Sequence, residues 1–260
     1  MTTTDIGVGG LVASMVMVVV AIVISAVWRL GLERSMLWAS ARALAQLLVV
    51  GSALTLVIDP DRPVVWSWLW VAGMIGFAAV TTMRRAPELP GVLPIAAAAF
   101  TAATAVSLGV LLGFGVFPTT GRSIVPLAGM VVGNSLSATV LVARRIVGTF
   151  SDDRDEIEAR LALGQSGPTA SRPYVRAAVR TGLIPQIETT KATGLVFLPG
   201  AMVGLILAGV EPADAVKVQA AVMYLVLGSV ATTTAVVALG ASRRLVTPDH
   251  RLVRLVRRPG

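Results

Sequence analysis

The chain is 260 residues long, 55% hydrophobic and only 14% charged, with a formal net charge of +8 and a mean hydropathy of +0.80. Soluble domains carry about a quarter charged residues, and membrane-barrel strands are alternating segments of about ten residues. The continuous, longer apolar runs here therefore point to a polytopic all-α membrane protein. The charge is the bias of inner membrane loops rather than a nucleic-acid signal.

Seven runs approach the roughly 20 residues that a bilayer crossing requires. In chain order they are Ile6–Trp28, Met36–Ile58, Val64–Met83, Val92–Phe117, Ile124–Ala143, Thr193–Val210 and Val218–Gly240. The first follows Met-Thr-Thr-Thr-Asp with no basic residue, which does not suit a secretory signal; an uncleaved first span with its N-terminus outside is expected. With that orientation, 19 of the 22 Lys/Arg fall on the inner side, and only Arg62, Arg122 and Lys217 fall outside. Such a bias predicts N-out, C-in and an odd number of spans. Trp66, Trp68 and Trp70 stand at the outer end of the third span, the place of an aromatic belt. No soluble domain, linker or repeat interrupts the series, so residues 1–260 read as one membrane domain.

Several polar residues fall within or beside the runs, where their cost marks either a pathway or a helix contact. Arg42 and Gln46 are four apart on one face of the second span. Arg42 either snorkels to the interface or borders a path. Asn134 follows Gly129 and Gly133, a small-xxx-small spacing that permits close helix approach. Glu188 and Lys191 stand at the entrance to the sixth span, three apart. Pro199-Gly200 lies inside that span, where proline should kink or break a helix and could serve a gate or only packing.

The long polar stretch Arg144–Lys191 carries eight Lys/Arg and six Asp/Glu. Ser151 is placed to N-cap a helix whose first turns hold four acids. Gly164 suits its C-terminal end and Gly167-Pro168 breaks the chain. A second helix is expected from about Thr169 to Leu183, closed by Pro185. Its basic face fits either anionic lipid headgroups or a docking partner.

Catalytic motifs are missing. There is no Gly-x-x-x-x-Gly-Lys-Ser/Thr phosphate loop, so the chain is not its own P-loop ATPase. The one histidine, His250, builds no metal cluster, and the methionines in the spans are read as packing. A non-enzymatic protein that binds no cofactor is expected.

Glu158-Ala159-Arg160-Leu161-Ala162-Leu163-Gly164 resembles the Glu-Ala-Ala-x-x-x-Gly loop by which bacterial ABC importer permeases dock on their ATPase, departing from it at Arg160. More specific is the run Arg176-Ala-Ala-Val-Arg180-Thr-Gly-Leu-Ile-Pro185-Gln-Ile-Glu188-Thr-Thr-Lys191-Ala-Thr-Gly194-Leu-Val-Phe-Leu-Pro199-Gly200. Together with Gly129-Met-Val-Val-Gly-Asn134, Arg42-Ala-Leu-Ala-Gln46 and Ala208-Gly-Val-Glu-Pro212, it resembles the FetB (YbbM) family of ABC-transporter permeases, which has plant relatives linked to aluminium tolerance. The resemblance implies a seven-span permease in the bacterial inner membrane, dimeric and paired with a separate FetA-like ATPase that carries ATP and Mg. Iron export is the implied activity; another cargo, such as a nucleotide sugar, is the alternative within the family. It also implies docking through Glu158, Ala159, Arg160, Gly164, Arg176 and Arg180. Candidates for translocation or gating are Arg42, Gln46, Asn134, Glu188, Lys191, Pro199 and Gly200. An ATPase-independent transporter or channel is the rival class; it calls for paired broken helices, and the sequence offers one Pro-Gly break.

Overall fold

The computed structural model describes residues 8–59, 62–247, 249 and 251–253. Ile6, Pro60, His250 and the last tail arginines, Arg254, Arg257 and Arg258, lie outside them. Among the described residues every regular element is a helix: α1 (Val8–Val27), α2 (Glu33–Val57), α3 (Val65–Arg85), α4 (Val92–Gly113), α5 (Gly121–Asp152), α6 (Arg154–Ala162), α7 (Gly167–Ala192), α8 (Gly200–Leu207) and α9 (Pro212–Leu245).

Five of these, α2, α3, α4, α5 and α9, are long and apolar enough to cross a membrane. α1 follows the first predicted run and has 20 residues. The sixth run departs from expectation. Residues 193–199 are not helical, and α8 has eight residues, about 12 Å at 1.5 Å per residue. Pro199 does not kink a helix interior; it is the N-cap of α8, and Gly200 is that helix's first residue.

α5 and α9 form the centre, with α4 and α3 packed on one side and α7 on the other. Small residues and hydroxyls let these helices approach. Ser135 Oγ of α5 donates to Ser229 Oγ of α9 at 3.2 Å, and both side chains are fully buried. A Cβ on Gly240 would sit 2.8 Å from Ile95 of α4, so the glycine admits that helix. Gly129 meets Met74 of α3 as its spacing suggests, but Gly133 has nothing within 4 Å of an added Cβ. It lines an open apolar cavity of about 820 Å³ between α2, α3 and α5.

One end of the bundle is basic. There the Arg144 guanidinium donates to the Arg85 carbonyl at 2.6 Å, and Arg244 lies against Gly91. Beyond α9 the tail folds back, with Thr247 N–H on the Arg251 carbonyl at 2.8 Å and Leu252 in the core. The α1–α2 hairpin is peripheral. Its turn holds Arg29 at φ 53° and is tied by the Ser25 hydroxyl donating to Glu33 at 2.7 Å. Among the described residues α2 packs on α1 and meets the rest mainly near its far end, at α3 and Gly121. No described α2 side chain is buried.

Candidate functional site

The polar stretch Arg144–Lys191 is not a loop. α5 continues nine residues past its apolar run and through Ser151, so Ser151 caps nothing. The chain turns at Asp153, which takes the N-cap position of α6 without a side-chain cap bond. α6 turns Ile157 and Leu161, one helical turn apart, into a core shared with Phe150, Ala170, Tyr174 and Leu252. The Phe150 and Tyr174 rings meet edge-on, with centroids 6.2 Å apart, a favoured aromatic geometry. Gly164 ends the helix as expected: it has φ 83°, its N–H bonds the Leu161 carbonyl, and Gln165 N–H bonds the Arg160 carbonyl at 3.1 Å. This double closure is the Schellman motif, which favours glycine.

The residues of the expected docking motif surround this turn. Glu158 pairs with Arg154, whose guanidinium also donates to the carbonyls of Leu252 and Val253 and so ties α6 to the tail. Ala159 is exposed. Arg160, the departure from the motif, pairs with Glu156 at 2.7 Å. That bond, helped by Tyr174, holds the Glu156 carboxyl below its ordinary range, and Glu156 in turn raises the Arg160 guanidinium. Burial, then the Glu156 carboxylate, pushes the Tyr174 phenol up. The turn presents Ala159, Gly164 and the 83% exposed Leu163 to the outside.

α7 differs most from expectation. It runs unbroken for 26 residues through Pro173 and Pro185. Pro185 does not close it; the residue is exposed, so the backbone bond it forfeits is not lost inside a packed interface. Two glycines set the helix's position. A Cβ on Gly167 would stand 2.9 Å from Val246 at the basic end. One on Gly182 would run into Val142 of α5 and Thr234 of α9. α7 therefore climbs antiparallel to α9, into the layer of apolar helices. Lys191 stands nine residues beyond Gly182, about 13 Å further, level with the middle of α9's apolar run. Glu188 and Lys191 are thus well inside this layer rather than at its entrance.

Arg176, Arg180, Glu188 and Lys191 come together along one open face of α7, in a shallow groove floored by Val179, Leu183, Ile184 and Ile187. Lys191 Nζ lies 2.9 Å from Glu188 Oε1, and both side chains are more than 60% exposed. The helix ends at Thr193, and Gly194 takes φ 92° with its N–H on the Phe197 carbonyl. Leu195 and Val196 then project outward, 95% and 80% exposed.

The other candidates do not join this groove. Arg42 and Gln46 are exposed on peripheral α2. Asn134 is exposed and donates from Nδ2 to the Met130 carbonyl at 2.8 Å, a bond within its own helix. Sequence reasoning passed over two features. Gly182 had one signal, a glycine in mid-helix where alanine is about 1 kcal/mol better. The Ser135–Ser229 contact had none, since the partners are 94 residues apart. Among the described residues no group of three or more His, Cys, Asp or Glu is placed to hold a metal ion.

Comparison with known proteins agrees with this architecture. Residues 8–246 match the model of an uncharacterised protein family, UPF0014. The chain is 37% identical over 218 residues to the rice UPF0014 membrane protein STAR2, covering 84% of this chain and 76% of that one. It is 31% identical over 243 residues to the protein named "Probable iron export permease protein FetB" of Escherichia coli, covering 94% and 93%. It is 31% identical over 217 residues to the Arabidopsis protein ALUMINUM SENSITIVE 3, covering 84% and 79%. No solved structure matches. An all-helical membrane protein by its helices, the chain belongs to the UPF0014 family, the one to which FetB and the plant aluminium-sensitivity protein also belong.

Proposed function

We propose that this protein is the permease subunit of an ABC transporter that exports iron or another metal ion. ATP and Mg are held by a separate FetA-like ATPase, and the chain itself binds no cofactor. It sits in the inner membrane as one domain of seven crossings, N-terminus out and C-terminus in. The sixth crossing is composite: the upper half of α7, the break at 193–199 and α8. Two permeases and two ATPases make the working unit.

The observation that carries this reading is the α6–α7 turn. It is braced by the aromatic and apolar core beneath it and by the Arg154 grip on the tail, yet shows Ala159, Leu163 and Gly164 outward. A rigid, outward-facing turn at the basic end of a membrane chain without a phosphate loop suits a partner that supplies ATP hydrolysis. The similarity to a relative named as an iron export permease supports the same reading.

The test replaces exposed residues only, because Ile157 and Leu161 make a deletion of α6 a folding mutation. Ala159→Arg with Leu163→Asp should abolish co-purification of the ATPase while membrane levels of the chain stay unchanged. Retained association overturns the assignment. If the composite crossing is the gate, Pro199→Ala lowers transport and leaves ATPase binding intact.

A second reading concerns cargo. The open face of α7 carries Arg176, Arg180 and Lys191 against the single acid Glu188. Coulomb's law favours an anion there, so the cargo is either an anionic organic molecule, such as a nucleotide sugar, or a metal carried as an anionic chelate. ATP-driven transport of ferric citrate but not of free ferrous ion would select this reading; the reverse would remove it.

A further inference from the structure

We propose that the open face of α7 is the interface with a second copy of this chain, with Glu188 of each copy facing Lys191 of the other. The proposal rests on the reading above that the protein works within a bilayer, and it names the surface at which two permeases meet.

Gly182 presses α7 on α5 and α9, and the face turned away from those helices leaves Ile184 and Ile187 exposed. Glu188 and Lys191 lie on that face, level with the middle of α9's apolar run, with side chains 62% and 66% exposed. Ionised groups at such depth face protein or a water-filled cavity rather than lipid. A single copy leaves them in hydrocarbon.

The groove then identifies the occupant. Ile184 and Ile187 stay exposed beside the charges, an apolar strip suited to a second helix, while Val179 and Leu183 are partly covered by the chain's own cores. The charges are of both signs on one helix, which makes the surface complementary to itself. A two-fold axis along the bilayer normal brings equal heights together. Glu188 and Lys191 differ by three residues, about 4.5 Å in height, within reach of their opposites across such an axis. Residue i meeting j while j meets i is the signature of an isologous interface. Arg176 and Arg180 repel their own copies, but they lie toward the basic end, where water and salt screen them.

The chain contains no cysteine, so single introduced thiols report proximity without background. Ile187→Cys and Ile184→Cys, in the full chain in native membranes under mild oxidation, should give disulfide-linked dimers at least tenfold above Val106→Cys on the lipid side of α4 and Leu47→Cys on α2. Absence of a dimer band at both α7 positions, equal or stronger crosslinking at Leu47, or crosslinking only to a protein of another mass overturns the proposal. Charge reversal supplies the second measurement. Within the Ile187→Cys background, Glu188→Lys or Lys191→Glu should each cut the dimer yield several-fold, and the two together should restore it. A double variant as poor as the singles overturns the cross-pairing. Neither measurement needs the ATPase or a cargo. A dimer without ATPase association defeats the permease assignment alone, and ATPase association without an α7 dimer defeats this proposal alone.

Discussion

The two sides of α7 contrast more sharply than any two helices of the molecule. On the packed side, Ala170, Tyr174, Ala178 and Gly182 meet α5 and α9, and all four are buried. On the open side, Arg176, Arg180, Glu188 and Lys191 flank the exposed Ile184 and Ile187, while Val179 and Leu183 are partly covered by the chain's own cores. Small residues let α7 close on its neighbours, whereas the charges mark what those neighbours do not cover. The polar content of a segment therefore says little about whether it is loop or helix until its residues are sorted by face.

Substitutions can break that contrast in order of effect. The largest is expected where the packed side leans on the core: Phe150→Ala removes the ring beneath Tyr174 and should cost about 3–5 kcal/mol, read by unfolding in mild detergent titrated with sodium dodecyl sulfate. Next is Gly182→Leu, which drives a side chain into Val142 and Thr234 and should cost about 1–3 kcal/mol in the same titration. A null result there would mean that α7 does not seat as described. Ser135→Ala should cost only about 0.6 kcal/mol, because Ser229 still donates to the Val226 carbonyl at 2.8 Å. On the open side, Ile184→Ala should change the stability of the solubilised single chain by less than about 0.5 kcal/mol. A large loss there would erase the distinction between the faces.

The smallest effect is electrostatic. Glu156 is held below its ordinary pKa by Arg160 and Tyr174, so the folded state favours its charged form. The stabilisation is present above the usual glutamate range and disappears as pH falls through the lowered value. Glu156→Gln should flatten the acid limb of the stability profile slightly and leave neutral pH nearly unchanged, since the pair is exposed and screened.

Much of the fold was legible because uninterrupted apolar length is a strong signal. The runs of the second to fifth spans and the last each correspond to a helix, and Gly164 marks a helix end. Where reading failed, the cause was local. Arg172, Arg176 and Arg180 made the helix expected over Thr169–Leu183 read as one resting on lipid headgroups or a docking partner, although Ala170, Tyr174, Ala178 and Gly182 bury another face of it. Pro185 looked like an end because a proline's cost depends on which side of the helix it stands. Pro199 looked like a kink because Thr193–Val210 is apolar throughout, and nothing in that composition announces the turn at Gly194. The site was legible as residue types, and the Glu188–Lys191 pair met as its spacing suggested. Its depth was not, because depth is fixed by Gly182 touching residues 40 and 52 positions away in the chain.

The peripheral α1–α2 hairpin carries its own consequence, in the language of cooperativity. Its turn is closed internally by Ser25 and Glu33, and it meets the remaining helices mainly near the far end of α2. Elements that share so little surface exchange little free energy, so they open as separate units with separate stabilities. The chain should therefore show two unfolding events. The first releases the hairpin with little loss of the α4, α5, α7 and α9 core, and Leu47→Ala shifts that event alone. Amide exchange would then be fast along α2 and slow along α9, in one chain, at one temperature.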